Sequence, residues 1–256
     1  MAALEIFQFL CRSDNYGVLV HDPETGDTAA IDAPDAEPVR KAAAKKGWNL
    51  THIFITHHHG DHTQGVPDLV RQFGCKTLGP AAERDKIPGL DIYLSDGDSF
   101  EFSGHKAQIF QTPGHTLGHI CWWFEGQNLL FAGDTLFPLG CGRMFEGNAQ
   151  QMWASLDKIR QLPLETRVFC GHEYTAANAK FALSIEPGNE ALQVRAQAIA
   201  KLRADNKPTV PTTIALERQT NPFLRPDSAE IQASIGMVGA GPIEVFAEVR
   251  RRKDIF

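Results

Sequence analysis

The chain has 256 residues, a hydrophobic content of 43%, a charged content of 22% and a formal net charge of -6 at pH 7. This length can bury a sizeable core, and the composition is ordinary for a soluble globular protein. The negative charge argues against the broad basic surface of a nucleic-acid-binding protein. No stretch approaches the roughly 20 apolar residues that span a bilayer.

The first residues, MAALEIFQFLCRSDNYG, lack the basic and long apolar regions of a signal peptide and are typical of a strand. The cysteines are scattered, odd in number and without a C-x-x-C pair, at Cys11, Cys75, Cys121, Cys141 and Cys170. Free thiols in a reducing compartment are the simplest interpretation. We therefore expect a cytoplasmic protein that binds neither membranes nor nucleic acid. The expected oligomeric state is a monomer, although the sequence carries no signal for it.

Strand and helix patterns alternate from the start of the chain. LEIFQFL, YGVLV and TAAID predict strands that polar turns separate. DAEPVRKAAAKKG then predicts a helix, with Pro38 in its first turn and Gly47 as its stop. THIFIT follows as a buried strand, TQGVPDLVRQFG as a shorter helix, and KTLGP as another strand.

After a polar loop around DKIPGLD, further strands are predicted at DSFEF, KAQIFQTPG, HICWWFE and NLLFAGDT. NAQQMWASLDKIRQLP predicts a helix with Asn148 and Gln151 in a capping box, and TRVFCG predicts a strand. TAANAKFALSIEP, NEALQVRAQAIAKLRADNK and PIEVFAEVRRRKDIF predict helices, with PTVPTTIALERQTNPF as a connector. We therefore expect a mixed domain over residues 1–173 and a helical domain over residues 174–256.

The stretch FITHHHGDHTQG holds four histidines and an aspartate within six positions. Alternation along an extended chain places His57 and His59 on one side and His58 on the other. Gly60 permits a sharp turn, after which Asp61 and His62 enter the next helix. Two ligand groups that point in different directions suit two metal ions better than one.

Three other loops repeat this design, in which a strand ends in a glycine-containing loop with a metal-type ligand. QIFQTPGHTLGH supplies His115, LLFAGDT supplies Asp134, and RVFCGHEY supplies His172. Because each zinc ion takes three or four protein groups plus water, the full set suits a two-ion site with a bridging carboxylate.

Other histidines are assigned less specific roles. His21, His52 and His105 are interpreted as surface or satisfied core residues. His58 is interpreted as a packing or supporting residue, and His119 as a residue that orients a neighbour through a hydrogen bond.

The motifs T-H-x-H-x-D-H, P-G-H-T-x-G-H, G-D-T and G-H-E-Y-T occur in this order and resemble those of the metallo-β-lactamase superfamily. Within it, GCGRMFEG, GHEYT and the closing RRRKDIF resemble glyoxalase II, the hydroxyacylglutathione hydrolases. The resemblance covers essentially the full length. It implies an α/β (α+β) fold, an αββα sandwich with a small all-helical C-terminal domain.

By the same resemblance, one metal ion would be held by His57, His59 and His115. The second would be held by Asp61, His62 and His172, with Asp134 bridging the two. Nitrogen and oxygen ligands suit zinc, iron and manganese alike; we expect two divalent ions, with zinc favoured.

The implied reaction is hydrolysis of S-(2-hydroxyacyl)glutathione, typically S-D-lactoylglutathione. Water shared by two divalent ions is acidic enough to exist as hydroxide near neutral pH and can attack a thioester. Asp61 and Asp134 are the expected catalytic carboxylates, and Asp61 would also orient the hydroxide. The sequence has no nucleophilic Ser or Cys in an elbow motif, which favours direct attack by water.

Glutathione carries carboxylates that require a local positive site. Arg250 and Lys253, three apart on the last predicted helix, can face the same direction. On residues alone they are a solvated helix end, whereas the resemblance implies that they bind the glycine carboxylate. It similarly implies substrate contacts from Arg143, Tyr174 and position 145, where Phe145 replaces the usual Tyr and removes a phenol hydrogen bond.

Several alternatives stay open. A single-iron persulfide dioxygenase of the same superfamily needs only a three-ligand face and usually lacks the helical tail. A β-lactamase has no use for the RRRKD segment, and an RNA-processing nuclease needs a basic platform. A non-catalytic metal-binding module is the remaining possibility.

Overall fold

The computed structural model describes residues 2–256, and these residues form two compact units. The first contains the chain up to Gln111 together with Leu117–Gly133, and the second contains Thr112–Thr116 together with Asp134–Phe256. Both units contain residues that the motifs predict to be metal ligands. Among residues 2–256, every helix is too short or too polar to cross a membrane.

A mixed sheet forms one layer of the first unit, and its strands lie in chain order across it. They are β1 (Glu5–Leu10), β2 (Tyr16–His21), β3 (Thr28–Ile31), β4 (His52–Phe54), β5 (Lys76–Pro80) and β6 (Ile92–Leu94). Strands β1 to β3 are antiparallel neighbours, and β3 to β6 run parallel. Parallel neighbours need crossover connections. These contain α1 (Ala36–Lys46) after β3, then α2 (Gly60–Thr63) and α3 (Val66–Phe73) after β4.

Local sequence explains the ends of these helices. The side chain of Asp35 accepts a hydrogen bond from the amide of Glu37 at the start of α1, and Gly47 ends the helix with a φ of 68°. Both ends agree with the prediction. Helix α3 begins at Val66, later than predicted, because a separate short helix, α2, occupies the His-rich stretch before it.

A second, antiparallel set of strands completes the first unit. In order of pairing they are β7 (Ser99–Phe102), β8 (His105–Gln111), β9 (Ile120–Phe124) and β10 (Leu129–Gly133). Phe54 of β4 stacks on Trp122 of β9, with 4.6 Å between ring centroids. Ile53 and Ile55 alternate to the other face and pack with Val39 of α1. Strand β4 is therefore held between helix and sheet just before the His-rich stretch.

The second unit begins its regular structure with two short hairpin strands, β11 (Leu136–Phe137) and β12 (Gly140–Cys141). Helix α4 (Ala149–Arg160) follows, and Asn148 and Gln151 form the predicted capping box. Strand β13 (Arg167–Cys170) pairs with β14 (Thr212–Thr213). The remaining helices are α5 (Thr175–Ile185), α6 (Glu190–Ala204), α7 (Ile214–Thr220), α8 (Ala229–Ile235) and α9 (Pro242–Asp254).

Strand β6, the β11–β12 hairpin and helix α8 were not predicted. The stretch PTVPTTIALERQTNPF is more than the predicted connector, because it contains β14 and α7. Thr213 caps α7 by accepting a hydrogen bond from Leu216, and Ser228 caps α8 in the same way. Such seven-residue helices depend on tertiary packing rather than on propensity, so their patterns are weak.

Candidate metal centre

The His-rich stretch follows β4 in the first unit. Nε2 of His57 lies 3.1 Å from Nδ1 of His59. His58 instead faces a buried carboxylate, with 3.1 Å between its Nδ1 and Oε2 of Glu83. His58 therefore contacts a side chain outside the predicted ligand set, and β4 itself ends at Phe54, before the three histidines.

The first turn of α2 supplies the other two donors of this stretch. Nε2 of His62 lies 3.9 Å from Oδ2 of Asp61. The side-chain amide of Asn15 donates to the carbonyl of Asp61 at 3.1 Å and to its Oδ2 at 3.4 Å. Asn15 is buried, and these two hydrogen bonds orient the Asp61 carboxylate.

A buried carboxylate outside the recognised motifs organises these donors. Asp32 accepts hydrogen bonds from the amide of Thr56 at 2.7 Å and from its hydroxyl at 2.8 Å. Its Oδ2 also lies 2.8 Å from Nδ1 of His62. The Thr56 oxygen is in turn 3.0 Å from Nδ1 of His57. Both Nδ1–H groups are thereby occupied, which leaves the Nε2 atoms of His57 and His62 with lone pairs that can bind a metal ion.

The second unit brings the other three predicted ligands together. Oδ2 of Asp134 lies 3.4 Å from Nε2 of His115 and 3.3 Å from Nε2 of His172. All three side chains are buried. The Nδ1–H of His115 donates to the carbonyl of Arg143 at 2.8 Å, so its Nε2 carries a lone pair toward Asp134 when the ring is neutral.

In both units, groups that accept hydrogen bonds therefore face each other. Nε2 of His115 faces the Asp134 carboxylate, and Nε2 of His62 faces the Asp61 carboxylate. Facing acceptors repel unless a cation or a proton lies between them, and nitrogen and carboxylate donors suit a divalent ion. All seven predicted ligands are among the histidine and aspartate groups that could hold a metal ion: His57, His59, Asp61, His62, His115, Asp134 and His172.

A close backbone approach explains a glycine beside these ligands. A Cβ atom at Gly142 would lie 2.0 Å from the carbonyl oxygen of Asp134 and 3.3 Å from Nδ1 of His115. Because the obstacle at Asp134 is backbone, a side chain cannot be accommodated by a rotamer change. The second glycine of the GCG motif thus lets the chain pass close to two predicted ligands.

The predicted carboxylate-binding pair lies on α9, but its two members differ in environment. Arg250 is buried, and it donates to the carbonyl of Cys141 at 3.0 Å and to Asp254 at 2.9 Å. Lys253 lies over the ring of Phe181, with 5.3 Å from Nζ to the centroid. Burial, together with the charge of Arg250, lowers the pKa of Lys253.

The other predicted substrate contacts surround the same ligands in the second unit. Tyr174 stacks on the ring of His172, with centroids 4.8 Å apart and planes 5° apart. The ring of Phe145 is 61% exposed and lies 5.2 Å from that of His115. The Phe145 amide donates to the His115 carbonyl at 3.3 Å, so it already has a partner. Arg143 extends over the Phe145 ring.

The thiols near these residues are poor nucleophiles. Burial raises the pKa of Cys141 to about 11 and raises that of Cys170 well above its ordinary value. All five cysteines are free and buried. Because the thiolate is the reactive form, covalent catalysis by these residues is disfavoured.

Histidines outside the ligand set pack as expected. His105 is buried against Asp22, with 3.1 Å between Nε2 and Oδ2, and His21 stacks on Trp48. His119 is buried with its ring centroid 4.9 Å from that of His57. Its orienting role stays a prediction.

Three residues that touch predicted ligands or their neighbours were not predicted from the sequence: Asp32, Asn15 and Glu83. Asp32 had a detectable signal, because it directly follows strand β3 and a polar residue at a strand end often belongs to a site. Asn15 and Glu83 are far from the motifs in sequence and had no such signal.

Two family models cover most of the chain. One, described as the metallo-beta-lactamase superfamily, matches residues 17–172. The other, described as the hydroxyacylglutathione hydrolase C-terminus, matches residues 173–256.

Solved structures share the fold. The crystal structure of the B3 metallo-β-lactamase BLEG-1 matches with a TM-score of 0.67 and 21% identity, covering 86% of this chain and 99% of that one. The crystal structure of ETHE1 from Myxococcus xanthus matches with a TM-score of 0.65 and 25% identity, covering 99% of both chains. The predicted metallo-β-lactamase fold with a helical C-terminal region is confirmed.

Curated relatives match over the full length. A hydroxyacylglutathione hydrolase from Rhizobium johnstonii is 56% identical over 256 residues, covering 100% of both chains. One from Methylococcus capsulatus is 52% identical, covering 99% of both chains. The chain therefore belongs to the hydroxyacylglutathione hydrolase family of the metallo-β-lactamase superfamily.

Proposed function

We propose that this enzyme hydrolyses the thioester S-(2-hydroxyacyl)glutathione, typically S-D-lactoylglutathione, to a 2-hydroxy acid and glutathione. This reaction is the second step of methylglyoxal detoxification. The observation that carries the proposal is identity of 52–56% along the whole chain to proteins named hydroxyacylglutathione hydrolase. Residues 1–173 form the proposed catalytic domain and residues 174–256 the proposed glutathione-binding domain.

The proposed metal site uses the seven predicted ligands. His57, His59 and His115 would hold one divalent ion, Asp61, His62 and His172 the other, and Asp134 would contact both. The proposal is supported by the facing acceptors within each unit, which fit cations. Zinc is favoured, and iron or manganese suits the same donors. When bound, such ions acidify water and polarise a carbonyl group.

The protein's own residues contribute orientation and proton transfer. Asp61, which accepts a hydrogen bond from Asn15, would orient the attacking water and accept its proton. Asp32 fixes the tautomer of His62 directly and that of His57 through the Thr56 hydroxyl. The thiolate of glutathione is a good leaving group, because the pKa of a thiol is about 8.5, so the reaction does not depend on a strong general acid.

Substrate binding is proposed to use the α9 cations and the residues around His115 and His172. Lys253 and Arg250 would attract the glycine carboxylate, and Arg143 and Tyr174 would contact the glutathione chain. Arg250 also supports the backbone at Cys141. Phe145 offers an exposed ring but no hydroxyl group.

Hydrolysis and metal content test this proposal together. We expect the purified enzyme to hydrolyse S-D-lactoylglutathione, to contain close to two divalent ions per chain, and to lose activity on chelation. Activity should return when zinc is added to the chelated protein. Metal-loaded protein with two ions and no thioesterase activity would contradict the proposed function, and elemental analysis identifies the native metal.

The dioxygenase alternative predicts a different result. It requires a single iron ion and consumption of oxygen with glutathione persulfide. The structural similarity to ETHE1 is the observation that favours this alternative. The full-length relatives carry the hydrolase name, which favours thioester hydrolysis. Oxygen uptake measured beside thioester hydrolysis distinguishes the two reactions.

Replacing Lys253 by methionine is expected to raise KM about tenfold or more with little change in kcat. Methionine preserves packing on Phe181 but removes a charge-assisted contact of roughly 1.5–3 kcal/mol. Since burial lowers the pKa of Lys253, KM of the wild type should rise at a lower alkaline pH than for an ordinary lysine. The variant should lose this dependence.

Lys201→Met is the matched control, because Lys201 is an exposed lysine on α6. Its KM should equal that of the wild type. An unchanged KM in Lys253→Met would exclude Lys253 from substrate binding.

A monomer in the reducing cytoplasm completes the proposal. The five free thiols support a reducing compartment. Gel filtration of the purified protein tests the monomeric state.

A further inference from the structure

A buried carboxylate in the second unit contacts the backbone of the β11–β12 hairpin. Glu217 lies on α7 and is fully buried. Its Oε2 accepts a hydrogen bond of 2.8 Å from the amide of Leu139, which occupies the hairpin tip with a φ of 58°. Non-glycine residues rarely adopt this left-handed conformation, so the tip depends on groups that hold it there.

The other oxygen of Glu217 is also engaged. Oε1 accepts a hydrogen bond of 2.5 Å from the hydroxyl of Thr212 and pairs with the guanidinium of Arg195. Arg195 lies on α6 and Thr212 on β14. The carboxylate is thus fixed from two further elements and presents a rigid acceptor to the hairpin.

Two asparagines hold the carbonyl groups of the same hairpin. The side-chain amide of Asn221 donates to the carbonyls of Phe137 at 3.2 Å and Gly140 at 3.0 Å. That of Asn178 donates to the carbonyl of Pro138 at 3.1 Å. The backbone of each hairpin-tip residue, 137–140, is therefore hydrogen-bonded to a side chain of the helical segment, residues 174–256.

The hairpin lies between the predicted ligand Asp134 and the carbonyl of Arg143, which accepts a hydrogen bond from the predicted ligand His115. Asp134 lies two residues before β11, and the amide of Gly142, directly after β12, donates to the carbonyl of Thr135 at 3.2 Å. The next carbonyl, that of Arg143, accepts the Nδ1–H of His115. A displaced hairpin would therefore shift Asp134 and also release the group that sets the His115 tautomer.

We propose that Glu217, Asn178 and Asn221 are positioning residues for the metal centre, acting through the β11–β12 hairpin on Asp134 and His115. This inference rests on the proposed function, because it takes Asp134 and His115 to be metal ligands. It gives the helical segment a role in metal binding in addition to substrate binding.

Glu217→Gln isolates this role with little change in shape. A glutamine has one acceptor oxygen and one NH2 group. If the oxygen faces Arg195, the NH2 group meets the Leu139 amide, which is also a donor. If the side chain flips, the NH2 group meets the guanidinium instead. Either orientation therefore loses the hydrogen bond to the Leu139 amide or the one to Arg195.

The matched control is Glu186→Gln. Glu186 is likewise a buried carboxylate of the helical segment, and it pairs with Arg225 and accepts from Ser228 at 2.6 Å. These partners lie outside the β11–β12 hairpin. Both variants lose a buried charge, so both are expected to lower the melting temperature.

Metal binding distinguishes the two variants. Metal-free full-length protein is titrated with Co2+ while its visible absorption is followed, which requires no turnover. We expect Glu217→Gln to bind Co2+ about tenfold more weakly than the wild type, with an altered spectrum, and Glu186→Gln to bind as the wild type does. Equal Co2+ affinity in both variants would overturn the positioning role.

If Glu217→Gln fails to fold, Asn178→Ala tests the same proposal. It removes a single hydrogen bond to the hairpin and should weaken Co2+ binding severalfold. An unchanged affinity in this variant would also overturn the proposal. Thioester hydrolysis by the wild type is measured separately, so failure of the proposed function is distinguishable from failure of this inference.

Discussion

Asp134→Ala is expected to reduce thioester hydrolysis to the background rate. The Asp134 carboxylate lies between Nε2 of His115 and Nε2 of His172, at 3.4 Å and 3.3 Å, and is the proposed ligand of both metal ions. Its loss should exceed the roughly 10²–10³-fold decrease that follows removal of a single electrostatic contact in an active site. The variant should also retain fewer metal ions after dialysis.

Asp157→Ala is the control for this experiment. Asp157 is a surface aspartate of the same unit, on α4, and it pairs with Arg160. Exposed ion pairs contribute about 0–1 kcal/mol, so this variant should retain wild-type kcat and metal content. Normal turnover by Asp134→Ala would remove the bridging role from the proposal.

Asp32→Asn is expected to weaken metal binding about 10–100-fold, the usual cost of losing a group that orients a ligand. The amide of Thr56 donates to Oδ1 at 2.7 Å, which fixes the oxygen of the new asparagine on that side. The NH2 group then faces Nδ1 of His62, which lies 2.8 Å from Oδ2 in the wild type. His62 would have to accept at Nδ1 and carry its proton on Nε2, where the metal should bind.

Asp22→Asn is the control for this second experiment. Asp22 is another buried aspartate of the first unit that contacts a histidine, His105, outside the ligand set. Both variants should lose stability, but only Asp32→Asn should lose metal affinity in a chelator competition assay. Equal affinities in the two variants would show that Asp32 is structural only.

The sequence indicated the proposed metal donors more fully than the residues that support them. His57, His59, Asp61 and His62 are close in sequence, so their proximity needs only a strand end and a turn. His115 and Asp134 come after strands β8 and β10, and glycine-containing loops after strands could be recognised. Asp32 contacts His62 from 30 residues away, and no local pattern indicates such a hydrogen bond.

The same distinction applies to the fold. Helix α4 was predicted with its capping box because Asn148 and Gln151 are three residues apart and act locally. Helix α7 was not, although Thr213 caps it. Its central residue Glu217 is polar but fully buried, so the usual apolar pattern is missing. Because the partners of Glu217 lie on other elements, neither helix α7 nor its contact with the β11–β12 hairpin could be predicted from the local sequence.

The burial of all five cysteines has a practical consequence for solution experiments. Thiol-directed dyes and spin labels react with the exposed thiolate, and burial raises the pKa of Cys11, Cys75 and Cys141 to about 11. A single cysteine introduced at an exposed position would therefore be labelled much faster than the five native cysteines. Motions around the substrate could then be followed spectroscopically without first replacing the native cysteines.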